Sequence, residues 1–120
     1  LRTYESKDPE LVASVSVPDE WLASDYDKYV AAQWEAQKAG HEAVNVGRLA
    51  GVLALALAGR VQLDVPGVVL KDGQAPDVGS ITARAMGFIV RAVAIPLEST
   101  QLVPFGLRAP SETSTREAAG

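Results

Sequence analysis

The residues of this chain best able to do chemistry are few. His41 is the only histidine, and there is no cysteine. That excludes a thiolate nucleophile, a Cys-ligated zinc or iron–sulfur site and a disulfide framework, and leaves no second imidazole for a metal centre. His41 stands beside Gly40 at an expected helix boundary, where a solvated linker residue accounts for it better than a general base. Asp25 and Asp27 are neighbouring carboxylates. Both fall in the first turn of an expected helix, where capping and the macrodipole explain acidic side chains. Ser24 and Ser80 have no triad partner that the sequence identifies. Neither a GxxxxGK[ST] phosphate loop nor a GxSxG elbow occurs. The expectation is a protein that is not an enzyme, with no catalytic residue, no cofactor and no metal.

What remains is contact chemistry. Arg48, Arg84 and Arg91 interrupt apolar helix faces. A guanidinium placed there either meets a carboxylate such as Glu42 or Asp64, or faces an acidic partner surface. Tyr26, Tyr29, Val30 and Trp34 recur at helical spacing and form one aromatic face, read as a core-facing stripe. Trp34 is assigned to the core. Trp21 is left between core and protein–protein anchor.

These side chains hang on elements that the rest of the chain defines. Val44 to Gly59, VNVGRLAGVLALALAG, has no polar side chain from Leu49 to Ala58. A helix apolar nearly all round is enclosed, by protein or by membrane. The run between Arg48 and Arg60 is much shorter than the ~20 residues that spanning needs, and Arg91 and Pro96 break a second run, Ala85 to Leu97. The expected environment is therefore a protein core. Gly47 and Gly51 each cost about 1 kcal/mol against alanine in a helix interior, so another backbone should approach that face. Ala83 and Gly87, on a later helix, are expected to supply it.

Around this rod, residues 1–10 read as a flexible polar leader. Leu11 to Val17 alternates like a half-buried strand. Ser24, with Asp27, should cap a helix from about Asp25 to Ala39 that ends at Gly40. Val61 to Lys71 suggests two short strands about a Pro66-Gly67 turn. Asp77 should cap a third helix running to Ile95, ended or kinked at Pro96. Leu97 to Leu107 then docks on the core, and residues 108–120, with no large apolar side chain, form a mobile polar tail. The expectation is a single domain over 11–107, mainly α with minor β: about three principal helices, an N-terminal strand and a possible short hairpin. With 15 acidic and 11 basic residues and a net charge of −4, it has no electrostatic attraction to nucleic acid or an anionic membrane. No apolar leader marks it for secretion.

Four short phrases stand in order: Val17-Pro18-Asp19-Glu20-Trp21 ending a strand-like segment, Asp25-Tyr26-Asp27-Lys28-Tyr29 in a helix, Val65-Pro66-Gly67 near mid-chain and Val103-Pro104-Phe105-Gly106 closing the last helix. That order resembles the small tail assembly chaperones of long-tailed, siphovirus-like phages. The resemblance implies a non-enzymatic chaperone or scaffold of virion assembly in the host-cell cytoplasm. It would bind the tape measure protein or another tail protein and self-associate as a homo-oligomer. It also implies a frameshift-extended form that could join after Arg108. The side chains assigned to protein contacts, by size and position, are Trp21, Tyr26, Tyr29, Arg84, Arg91 and Phe105. Two other readings stand beside it: a structural virion or capsid component, and a membrane-active helical protein using Leu49 to Ala58.

Overall fold

A computed structural model describes residues 1–70, 73, 74 and 76–102 of the chain. It is a mainly α domain with a small three-stranded antiparallel sheet. In order, the elements are β1 (Arg2–Glu5), β2 (Ser14–Val17), α1 (Ala23–Lys38), α2 (Val44–Leu57), β3 (Gln62–Asp64), a 3₁₀ turn (Val78–Ser80), α3 (Ala83–Ile89), a π-helical segment (Val90–Ala94) and α4 (Ile95–Leu102). The expected docking segment after Leu102, including Phe105, and the expected tail lie outside the described residues.

The apolar rod is the interior, as its composition requires. Leu49, Val52, Leu53 and Leu55 of α2 are buried, each contributing about 1.5–3 kcal/mol of transfer free energy. Helices α1 and α3, the π segment and the 3₁₀ turn pack on it, and β2 packs on the π segment. Both central helices stop the same way. His41 N–H reaches back to Ala36 O and Gly40 N–H to Gln37 O; Arg60 N–H reaches Leu55 O and Gly59 N–H reaches Ala56 O. These are Schellman ends, which need a left-handed residue, and Gly40 and Gly59 hold φ of 100° and 78°.

Several expectations change. The leader is not loose: Arg2–Glu5 pairs antiparallel with β2, Tyr4 opposite Val15. All four of its side chains are exposed, so no alternation announced it. The Val61–Lys71 hairpin does not form. The Val65 carbonyl accepts from Val68 N–H across Pro66-Gly67, but Val68–Leu70 is not a strand, and β3 pairs with β2 instead. Helix α1 begins two residues before Asp25, and Ser24 does not cap it. Leu22 occupies the cap position, and its N–H donates to Asp25 Oδ2 at 2.8 Å. Asp77 caps only the 3₁₀ turn, through Gly79 N–H, while Thr82 caps α3 through Ala85 N–H.

Pro96 neither ends nor sharply breaks the last helix. The π segment precedes it, with Ile95 N–H bonded to Val90 O five residues back. This wide turn relieves the crowding that a proline ring imposes on the carbonyl four residues before it. The small faces also pair differently from expectation. Gly51 lies against α1, where a Cβ would come 2.9 Å from Tyr29 O, whereas Gly87 lies under the Arg91 guanidinium. Tyr29 therefore fills the place expected of Ala83 and Gly87.

Trp34 is also outside the core, 60% exposed, because the aromatic set spans more of the helix circumference than the buried stripe marked by Tyr29 and Ala36. Trp34→Ala is expected to change stability by less than about 0.5 kcal/mol in urea unfolding, the usual size for surface sites.

Candidate functional site

Three arginines are tied down by carboxylates distant in sequence. Arg48 on α2 donates from Nε and Nη2 to the two oxygens of Glu98 on α4, each at 3.0 Å, and the Tyr29 hydroxyl donates to the same carboxylate. Neither Glu42 nor Asp64, the expected partners, takes part. Burial pushes the Glu98 carboxyl up. The Arg48 and Tyr29 hydrogen bonds and the Arg48 charge more than offset that, leaving it below the usual range. The Tyr29 phenol is raised, first by burial and then by donating to Glu98. Arg60 holds Asp25 in the same two-pronged way, at 2.8 and 3.0 Å. Burial raises the Asp25 carboxyl, and the bonds from Arg60 and Leu22 N–H bring it below its ordinary value. These networks clamp α1, α2 and α4 together. Their geometry is structural: they neutralise charge at the core boundary.

The pH dependence follows from both carboxyls lying low. The unfolded chain binds more protons than the folded one between the folded and unfolded values. Stability is therefore complete above about pH 5 and falls as pH drops through the folded values. Asp25→Asn is expected to flatten that acid limb in urea titrations from pH 7 to 3. It should also lower stability at pH 7, since Arg60 loses its counter-charge while an amide takes the buried place of Asp25.

Arg84 and Arg91 belong to a different place. They border a groove of about 500 Å³ between the chain from Tyr4 to Asp8 and the α3–π–α4 rod, floored by Leu11, Phe88, Ala92 and Pro96. Arg84 on α3 pairs with Asp8 at 2.6 Å and approaches Glu10 at 3.5 Å. Asp8 lies below its ordinary value, first through the Glu10 N–H bond, then, against burial, through Arg84 and Arg91. Among the described residues no ion pair involves Arg91 or Lys7, the other cations of this groove. Arg91 fits back over Gly87 because that position has no side chain; a Cβ there would stand 3.1 Å from Nη1. The arrangement offers an apolar trough whose rim carries Lys7, Arg84 and Arg91 beside Glu5 and Asp8, suited to an amphipathic segment that sets a carboxylate against Arg91.

Of the side chains assigned to contacts, the structure brings only Arg84 and Arg91 together at this groove. Trp21 and Tyr26 are half-buried against the core elsewhere. Tyr29 is a correction: it is 1% exposed and spent on Glu98 and the Gly51 approach, so it presents no surface to a partner. Phe105 lies outside the described residues. Sequence reasoning missed the other wall, Tyr4 to Asp8, because a short exposed edge has no apolar period. His41 sits half-buried in the turn after α1. Among the described residues, no group of three or more His, Cys, Asp or Glu could hold a metal ion, and no helix is long and apolar enough to cross a membrane. No protein-family model, curated protein or solved structure matches this chain.

Proposed function

We propose that this domain is a non-enzymatic protein-binding chaperone or scaffold of phage tail assembly. In this reading it acts in the host-cell cytoplasm, binds the tape measure protein or another tail protein, and self-associates. The observation that carries the binding role is the groove beside Arg84 and Arg91, with Leu11, Phe88 and Pro96 on its floor. A long amphipathic helix laid there would bury its apolar stripe on the floor and set acidic side chains against Arg91. The phage assignment rests on the phrases from VPDEW to VPFG.

The test is calorimetric titration of the purified domain with the tape measure protein encoded beside it. Saturable binding is expected, weakened about tenfold, or ~1.4 kcal/mol, by Arg91→Glu, and weakened by salt. Absence of binding, or a coding neighbourhood of metabolic genes, overturns the reading. Stoichiometric presence in purified particles would favour the structural virion component instead.

A further inference from the structure

The self-association in this reading requires a surface, and the sheet edge supplies one. Ser6 N–H donates to Ala13 O at 2.9 Å, continuing the β1–β2 ladder by one residue. Backbone groups alternate direction along an antiparallel ladder. Arg2, Tyr4 and Ser6 therefore point their N–H and C=O at β2, and Thr3 and Glu5 point theirs outward. Strand β1 is an edge of the sheet, and among the described residues no strand pairs with those outward groups. The strand has no proline, lysine or bulge; its shortness and the charges of Arg2 and Glu5 restrict pairing to a partner that matches them.

The edge is also self-complementary. An antiparallel second copy centred on Tyr4 sets Thr3 opposite Glu5 of the other copy, and Glu5 opposite its Thr3. Every outward N–H and C=O of both strands is then paired. The two Tyr4 side chains meet at a non-hydrogen-bonded position, where side chains come closest and aromatic pairs are favourable. They lie on the face of buried Val15, at the mouth of the groove. Thr3, bonded to Ser16 through its hydroxyl at 2.9 Å, stays on the opposite face. The antiparallel sense sets the Arg2 end of one strand against the Glu5 end of the other; a parallel pairing would stack like charges.

We propose that two copies of this chain associate through β1, joining their sheets into one six-stranded sheet about a two-fold axis at Tyr4. The proposal rests on the proposed reading only for self-association, and needs no tail protein.

The chain has no cysteine, so single cysteines report cleanly. At a non-hydrogen-bonded pair the Cα atoms stand about 4.5 Å apart, within disulfide reach. Mild oxidation should cross-link Tyr4→Cys into a dimer on non-reducing gels, and leave Thr3→Cys monomeric. In sedimentation velocity the wild type should form a concentration-dependent dimer. Thr3→Pro should raise its dissociation constant at least about tenfold. That proline removes an outward N–H and leaves the β2 ladder intact, so circular dichroism and the thermal midpoint should hold. A chain that stays monomeric overturns both this inference and the self-association. A dimer indifferent to Thr3→Pro and not trapped by Cys at position 4 overturns the edge alone. Binding of the tape measure protein, measured separately, decides the functional reading.

Discussion

Gly51→Ala lowers the unfolding free energy of this domain by up to about 2 kcal/mol, while Gly47→Ala, one turn away, raises it by up to about 1 kcal/mol. Both substitutions gain helix propensity of about 1 kcal/mol. They differ in what the new methyl meets. At Gly47 the nearest atom is Gln33 Cγ at 3.9 Å, an ordinary contact; at Gly51 it is the Tyr29 ring and, at 2.9 Å, the Tyr29 carbonyl oxygen. A backbone atom in mid-helix cannot step aside. Helices α1 and α2 must separate, and overpacking of that kind costs about 1–3 kcal/mol, occasionally more. Urea unfolding of the two variants beside wild type measures the difference. Equal stabilisation by both would mean that the interhelical contact is looser than its geometry.

The second large effect is at Glu98. Glu98→Ala is expected to cost about 3 kcal/mol, because it leaves the Tyr29 hydroxyl without its acceptor and Arg48 without its counter-charge, with only Asn45 Oδ1 still accepting from Arg48. The two members of the ion pair are 25% and 27% exposed, so the loss falls at the low end of the range for buried pairs. Glu98→Gln keeps an acceptor and is expected to lose less. The combined change Glu98→Leu, Arg48→Met, Tyr29→Phe removes all three polar groups together and is expected to recover most of the stability, since an apolar cluster avoids desolvation. Thermal and urea unfolding of the single and combined variants test this. Additive losses in the combined variant would contradict a coupled network.

The sequence made the centre of the fold legible and its connections much less so. Leu49 to Ala56 could be read as interior, although Leu57 beside them is exposed, and Gly40 could be read as a stop, because those inferences depend on side chains a few residues apart. The alternation of Val15 and Val17 with Ser14 and Ser16 marked β2 for the same reason. The partners of Arg48 and Arg60 could not be read. Glu98 and Asp25 lie 50 and 35 positions away, and spacing has no information over such distances until the helices have packed. Strand β1 was invisible because it is exposed on every side. Trp34 misled because aromatic periodicity marks a helical face without saying how wide the buried part is. At the groove, the two arginines were legible as cations on an apolar rod. The wall opposite them was not, since it exists only once β1 joins β2.

The wide turn in the last rod has a consequence for reading frames of packing. Its inward residues Ala85, Ile89, Val93 and Leu97 recur every four positions, whereas an ordinary helix advances about 100° per residue. Such a set would wander about 120° around an unbroken cylinder over those three steps. One residue of slack, taken up between Val90 and Ala94, brings the series back into line and lets both halves of the rod face the same interior. The slack works like a leap day: without that one residue an ordinary helix, at about 100° per residue, would still bring Leu97 and Glu98 round to the side they now face.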